Sequence, residues 1–129
     1  MEILEGVTSE QAAARPIEGG HNIWELALHI EAWLRACRRR LHAQLSDAED
    51  WPAITAADQQ AWKHTRESIM QENDELRSAI LLDDYLLGRP IIEGMSSLYV
   101  TLHGVVQHSL YHAGQLAILK KAASERQTA

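Results

Sequence analysis

Three observations predict an all-α protein, an antiparallel helix bundle. Apolar residues recur at helical spacing in three long stretches, which begin near Asn22, Thr55 and Ser96. Each stretch opens on a residue whose side chain can accept from the free N–H groups of a first helical turn. Between the stretches lie segments broken by Gly and Pro, and nowhere does the apolar/polar alternation of a strand appear. With 129 residues the chain is expected to form one domain, 1–129, around a single core.

Met1 to Gly6 is too short for a helix of its own. Thr8 or Ser9 caps a turn of helix through Ala14, closed by Pro16, and Glu18-Gly19-Gly20 is a loop. Asn22 as N-cap, with Glu25 three residues on, has the form of a capping box. The stripe Ile23, Leu26, Ala27, Ile30, Trp33, Leu34, Cys37, Leu41 and Leu45 then predicts the first long helix, with His29 bordering its buried face. Arg35, Arg38, Arg39 and His42 fall on a solvated side. Ser46 to Thr55 is a loop containing Trp51-Pro52. Thr55 as N-cap and Asp58 in the first turn open the second long helix, with Trp62, Ile69, Leu76 and Ile80 as its seam. Its Lys63, Arg66, Glu67, Glu72, Asp74, Glu75 and Arg77 form a polar side. Asp83 to Gly94 is an irregular connection that can start with a turn at Asp83-Asp84. Ser96 or Ser97 caps the last helix, which runs to about Ala122 with the stripe Thr101, Leu102, Val105, His108, His112, Leu116 and Leu119. Lys120 and Lys121 suit the negative end of its dipole.

Charge and composition exclude several functions. The net charge of −6 and the absence of a sustained basic run argue against a surface that tracks nucleic-acid phosphates. One cysteine allows no internal disulfide and fits a reducing compartment. No signal peptide and no bilayer-spanning apolar run is visible, so the expected location is the cytoplasm, with no membrane partner.

The chemistry concentrates in His108-Ser-Leu-Tyr-His112-Ala-Gly-Gln115. Residues four apart on a helix share a face, so both imidazoles can converge on one ion. A divalent metal in a catalytic site commonly takes three protein ligands and keeps an open position. His29 is the best third ligand, being the other histidine in a helical apolar stripe. His103 is rotated roughly 140° from the pair, His21 lies in a loop, His42 is too far along the axis, and His64 lies one position off a polar face and is expected to be solvated. Gln115 shares the face of His112, Tyr111 is a weaker pocket candidate, and Glu25 can support His29 from behind. Cys37 is too far from His29 for the same ion and reads as core. The competing reading is that the histidines are structural, but several buried ring nitrogens then need partners that one cation would supply.

The pattern His21-Asn22-Ile23-Trp24-Glu25-Leu26, His29-Ile30-Glu31-Ala32-Trp33 and His108 to Gln115, with Glu5 to Thr8 and Arg15-Pro16 ahead of it, resembles the DinB/YfiT-like metalloenzymes. The resemblance covers most of the chain from Leu4 onward. It implies a four-helix bundle of up-down-down-up topology, often dimeric, with a divalent metal (zinc or nickel foremost) held by residues matching His29, His108 and His112. It implies a thiol-dependent S-transferase or isomerase that uses a low-molecular-weight thiol on a small electrophile. The alternatives are a non-catalytic metal-binding stress-response protein and a metal-dependent hydrolase. Where the family has a full first helix, this chain has little, so that helix is expected to be largely truncated. A homodimer is expected to cover the faces it leaves bare.

Overall fold

The computed structural model describes residues 2–80 and 87–128. Among them, all regular structure is helical. The turn expected at Asp83-Asp84 lies outside the described residues. A 3-10 turn, Glu2–Leu4, leads into α1 (Ser9–Ala13), α2 (Ile23–Leu41), α3 (Gln59–Ala79) and α4 (Leu98–Thr128). Ahead of α2 the described residues form two short helical pieces rather than one long helix.

Most caps follow local chemistry. Thr8 accepts from the Gln11 N–H, and the Gln11 side chain accepts from the Thr8 N–H. Asn22 and Glu25 close the same reciprocal box on α2, while Asn22 Nδ2 donates to the Ala13 carbonyl and ties α1 to α2. Ser97 Oγ accepts from the Val100 N–H at the start of α4. Three boundaries differ from the sequence expectation. The N-cap of α3 is Asp58, which accepts from the Ala61 N–H, not Thr55. The stripe on α2 stops at Leu41, and Leu45 is exposed. There the Ala43 N–H bonds the Arg40 carbonyl and the Gln44 N–H the Arg39 carbonyl, a Schellman closure with Ala43 at φ 56°. This left-handed turn usually carries Gly, so the sequence hid it. Finally, α4 continues to Thr128, so Lys120 is not in the last turn. Its Nζ donates instead to the Ile3 and Glu5 carbonyls and holds the N-terminal segment against α4.

The helix α2 is the centre of the molecule. Its contacts with α3 climb together along both helices: Trp24 meets Thr65, Glu31 meets Ser68, and Arg35 and Arg38 meet Glu72. So α2 and α3 run parallel. Contacts with α4 descend as α2 climbs, from His29–His108 to Arg40–Thr101, so α4 is antiparallel to α2. This is the parallel inner pair that the family resemblance implies. The core gathers Leu4, Val7, Trp24, Ile30, Trp62, Ile69 and Leu116 around α2. Burying each such side chain contributes about 1.5–3 kcal/mol. The two tryptophan N–H groups buried with them are satisfied, Trp62 by the Val7 carbonyl and Trp24 by Thr65 Oγ1. By contrast α3 and α4 pack on α2 rather than on each other, leaving between them an apolar cavity of about 320 Å³ over Leu34 and Leu76.

A parallel pair needs a return connection along the length of the helices. Residues 42–58 make it, crossing back over the face shared by α2 and α4. That crossing places Asp50 and Trp51 over the middle of the face.

Candidate metal centre

On this face α2 presents His29, and α4, running the other way, presents His108 and His112 one turn apart. Their ligating nitrogens all lie within 4.8 Å of one another. His29 and His112 are buried, and His108 is half-buried.

Hydrogen bonds fix the rings. His29 Nδ1 donates to the Asp50 carbonyl at 2.6 Å, which leaves its Nε2 as a bare lone pair facing the other two rings. His112 Nδ1 donates to Gln115 Oε1 at 2.6 Å, so its Nε2 is bare as well. Nε2 of His108 sits 2.8 Å from Nε2 of His29. One proton can satisfy that contact only if His108 carries it, and His108 Nδ1 is then a buried atom with no partner. Two imidazoles locked with lone pairs inward and a third whose far nitrogen is orphaned are a poor hydrogen-bond network. They are a suitable donor set for a divalent ion, which His29, His108 and His112 would hold through Nε2.

The electrostatics agree. Burial pushes the His108 pKa down from 6.5 to about 4, and the neighbouring His112 and His29 add to the shift. His112 is lowered too, by burial first and by His29 and His21, against the opposing hydrogen bond to Gln115. Both therefore stand neutral at pH 7, the form that ligates.

Aromatic rings wall the cluster. Trp51, from the crossover, is stacked between His29 and His21, its ring centroid 3.8 Å from each and its plane nearly parallel to both. Trp33 stacks on His108 at 4.2 Å, and its Nε1 donates to the Asp50 carboxylate at 2.7 Å. The same carboxylate lies 3.4 Å from His29 Nδ1. Beyond Trp33 and Asp50 opens a cavity of about 250 Å³ between α2, α4 and the crossover.

Other candidates lie elsewhere. Glu25 is occupied by Asn22, Arg15 and His21 and does not reach His29, whose support is the Asp50 carbonyl. Gln115 orients His112 and donates to the Tyr111 hydroxyl at 3.4 Å, while Tyr111 is 66% exposed beside the His112 ring. His103, His42 and His64 are exposed, away from the cluster, and Cys37 is buried, its thiol pKa raised by burial. Arg35 and Arg38 are not on a solvated face, nor is Glu72. The Glu72 carboxylate is buried and takes hydrogen bonds from both guanidinium groups. The sequence reading missed Asp50 and Trp51, because a loop has no periodicity to point its side chains.

The family model described as the DinB superfamily matches residues 1–116. The chain belongs to the DinB superfamily. No curated protein and no solved structure matches it. Its DinB-type helices carry a three-histidine cluster compatible with a divalent metal. Among the described residues no helix is long and apolar enough to cross a membrane.

Proposed function

We propose that this DinB-superfamily protein is a metal-dependent thiol transferase or isomerase acting on small electrophiles, with zinc or nickel as its ion. The observation that carries the reading is the triad itself, three imidazoles from two helices, with a cavity of about 250 Å³ beyond Trp33 and Asp50. His29, His108 and His112 would hold the ion. Bound there, a divalent ion supplies the charge that turns a coordinating thiol into its thiolate near neutral pH.

The chain's own residues do the rest. The Asp50 carbonyl and Gln115 hold two rings in the ligating tautomer. Trp33 and Trp51 cover the rings and exclude water, which strengthens every charge interaction inside. Tyr111 and Gln115 stand at the rim where a substrate enters. In the transfer the thiol proton leaves to solvent, and the sulfur forms a bond to the electrophilic carbon. The leaving group departs from that carbon with the bonding electron pair. In the isomerisation the sulfur adds and later departs, and the thiol is regained.

Loss of free thiol, followed in the presence of a small chloronitroarene or an unsaturated diacid, tests this. We expect turnover that needs both metal and thiol and that fails in His29→Ala. Equal rates with metal-free protein would overturn the reading in favour of simple metal storage or a structural cluster.

A further inference from the structure

The cavity of about 250 Å³ is a compartment of its own. Trp33, stacked on His108 and donating to the Asp50 carboxylate, closes its end toward the triad, and no triad histidine lines it. On α2, Trp33, Ala36 and Arg40 follow one another along one face, and Thr101 and Gly104 line the cavity from α4. A Cβ at Gly104 would meet nothing within 4 Å, so the α4 wall is open there. Ala32, Cys37 and Val105 make the floor apolar, and the crossover residues Ser46 and Ala48 complete the walls.

Charges of opposite sign hold its two ends. Asp50, bonded to Trp33, and its neighbour Glu49 hold one. Arg40 holds the other, two helical turns beyond Trp33 or about 10 Å along the α2 axis. Arg40 is half-buried, and its one hydrogen bond is a long contact of 3.4 Å to Thr101 Oγ1. No carboxylate among the described residues pairs with it, whereas Arg35 and Arg38 have Glu72 and Arg39 has Asp47. Glu49 likewise has no ion-pair partner among the described residues. The two ends are thus a cation and an anion that the chain holds apart and leaves unanswered.

We propose that this cavity binds a linear amino acid whose ammonium and carboxylate lie at opposite ends of a methylene chain. The carboxylate takes the planar fork of Arg40, with the Thr101 hydroxyl beside it. The ammonium goes to Glu49 and Asp50, and the methylenes cover the apolar floor. An anion without the ammonium would be drawn to Arg40 and repelled by the other end, and a simple cation would meet the reverse. An amino acid with adjacent charges satisfies one end only and leaves the other unmatched. The site stands apart from the metal centre and does not rest on the thiol reading.

Titration of the full chain with two isomeric probes, followed by amide and indole N–H chemical shifts, tests this. The probes are 6-aminohexanoate and 2-aminohexanoate, equal in composition and net charge and different in where the charges lie. We expect the 6-amino isomer to bind roughly tenfold more tightly and to move the signals of Ala36, Gly104 and the Trp33 indole. We expect Arg40→Gln and Glu49→Gln each to erase that preference, and Arg40→Lys to keep part of it. The amide spectrum itself shows whether the variants fold. Zinc-loaded and metal-free protein should bind the 6-amino isomer alike, because Trp33 parts the two sites. Equal affinity for the isomers, shifts confined to other parts of the molecule, or binding of neither probe would overturn the proposal. So would an undiminished preference in Arg40→Gln or Glu49→Gln. None of these results bears on the thiol reading, whose test is turnover.

Discussion

The two sides of α2 bury polar groups in opposite ways. Toward α3, Glu72 receives Arg35 and Arg38, and Glu31 receives Arg35 and Ser68, so each buried carboxylate is answered by donors from the chain itself. Toward α4, three imidazoles meet with two lone pairs aimed inward and one nitrogen orphaned. The first arrangement is complete and needs nothing more to fold. The second leaves inward lone pairs on His29 and His112 that a cation would answer. Buried polarity alone therefore does not mark a site; buried polarity that the chain leaves unanswered does.

Removing members from each side separates the two. On the α4 side, His29→Ala, His108→Ala or His112→Ala should each weaken metal binding by more than the roughly 10–100-fold typical of outer-shell partners, with the helical fold retained. His103→Ala should leave binding unchanged. Competition with a chromophoric chelator measures both, and parental affinity in the triple variant would dissolve the contrast. On the α3 side, Glu72→Ala leaves two guanidinium groups without their shared acceptor. It should cost about 2–3 kcal/mol in chemical denaturation and leave metal affinity as it was. A loss of metal there would mean that the two sides are coupled through α2.

A smaller effect sharpens the comparison through pH. Burial holds the folded His108 pKa at about 4, below the unfolded value near 6.5. Between those values the unfolded chain binds more protons than the folded one, so metal-free protein should lose stability as pH falls from about 6.5 to 4. The amount is on the order of 1–2 kcal/mol after solvent screening. The depressed carboxyl of Glu72 moves the same way only at lower pH, below the ordinary carboxylate range. Burial by itself would raise that group, and the hydrogen bonds from Arg38 and Arg35 bring it down. Melting followed from pH 7 to 4 should therefore show a decline that His108→Gln flattens.

The sequence carried the α4 side better than the α3 side. His108 and His112 share a face by spacing alone, and His29 follows from its place in an apolar stripe. Glu72 and the arginines of α2 looked solvated, because periodicity places a charge on a face without saying that a neighbouring helix covers it. The parallel course of α2 and α3 was legible only through the family resemblance, since no local pattern encodes helix direction. The crossover that follows from it was legible merely as a loop. Hence Asp50 and Trp51, which orient and cover His29, had no signal at all.

The most direct test of the unanswered side is the metal content of protein purified without added metal and without a nickel column, measured by plasma mass spectrometry. We expect about one divalent ion per chain, retained through dialysis at pH 7 and released by a strong chelator or below about pH 5, where protons compete for the imidazoles. Protein that emerges metal-free and takes up neither zinc nor nickel on incubation would contradict the account and leave the three histidines as a structural cluster.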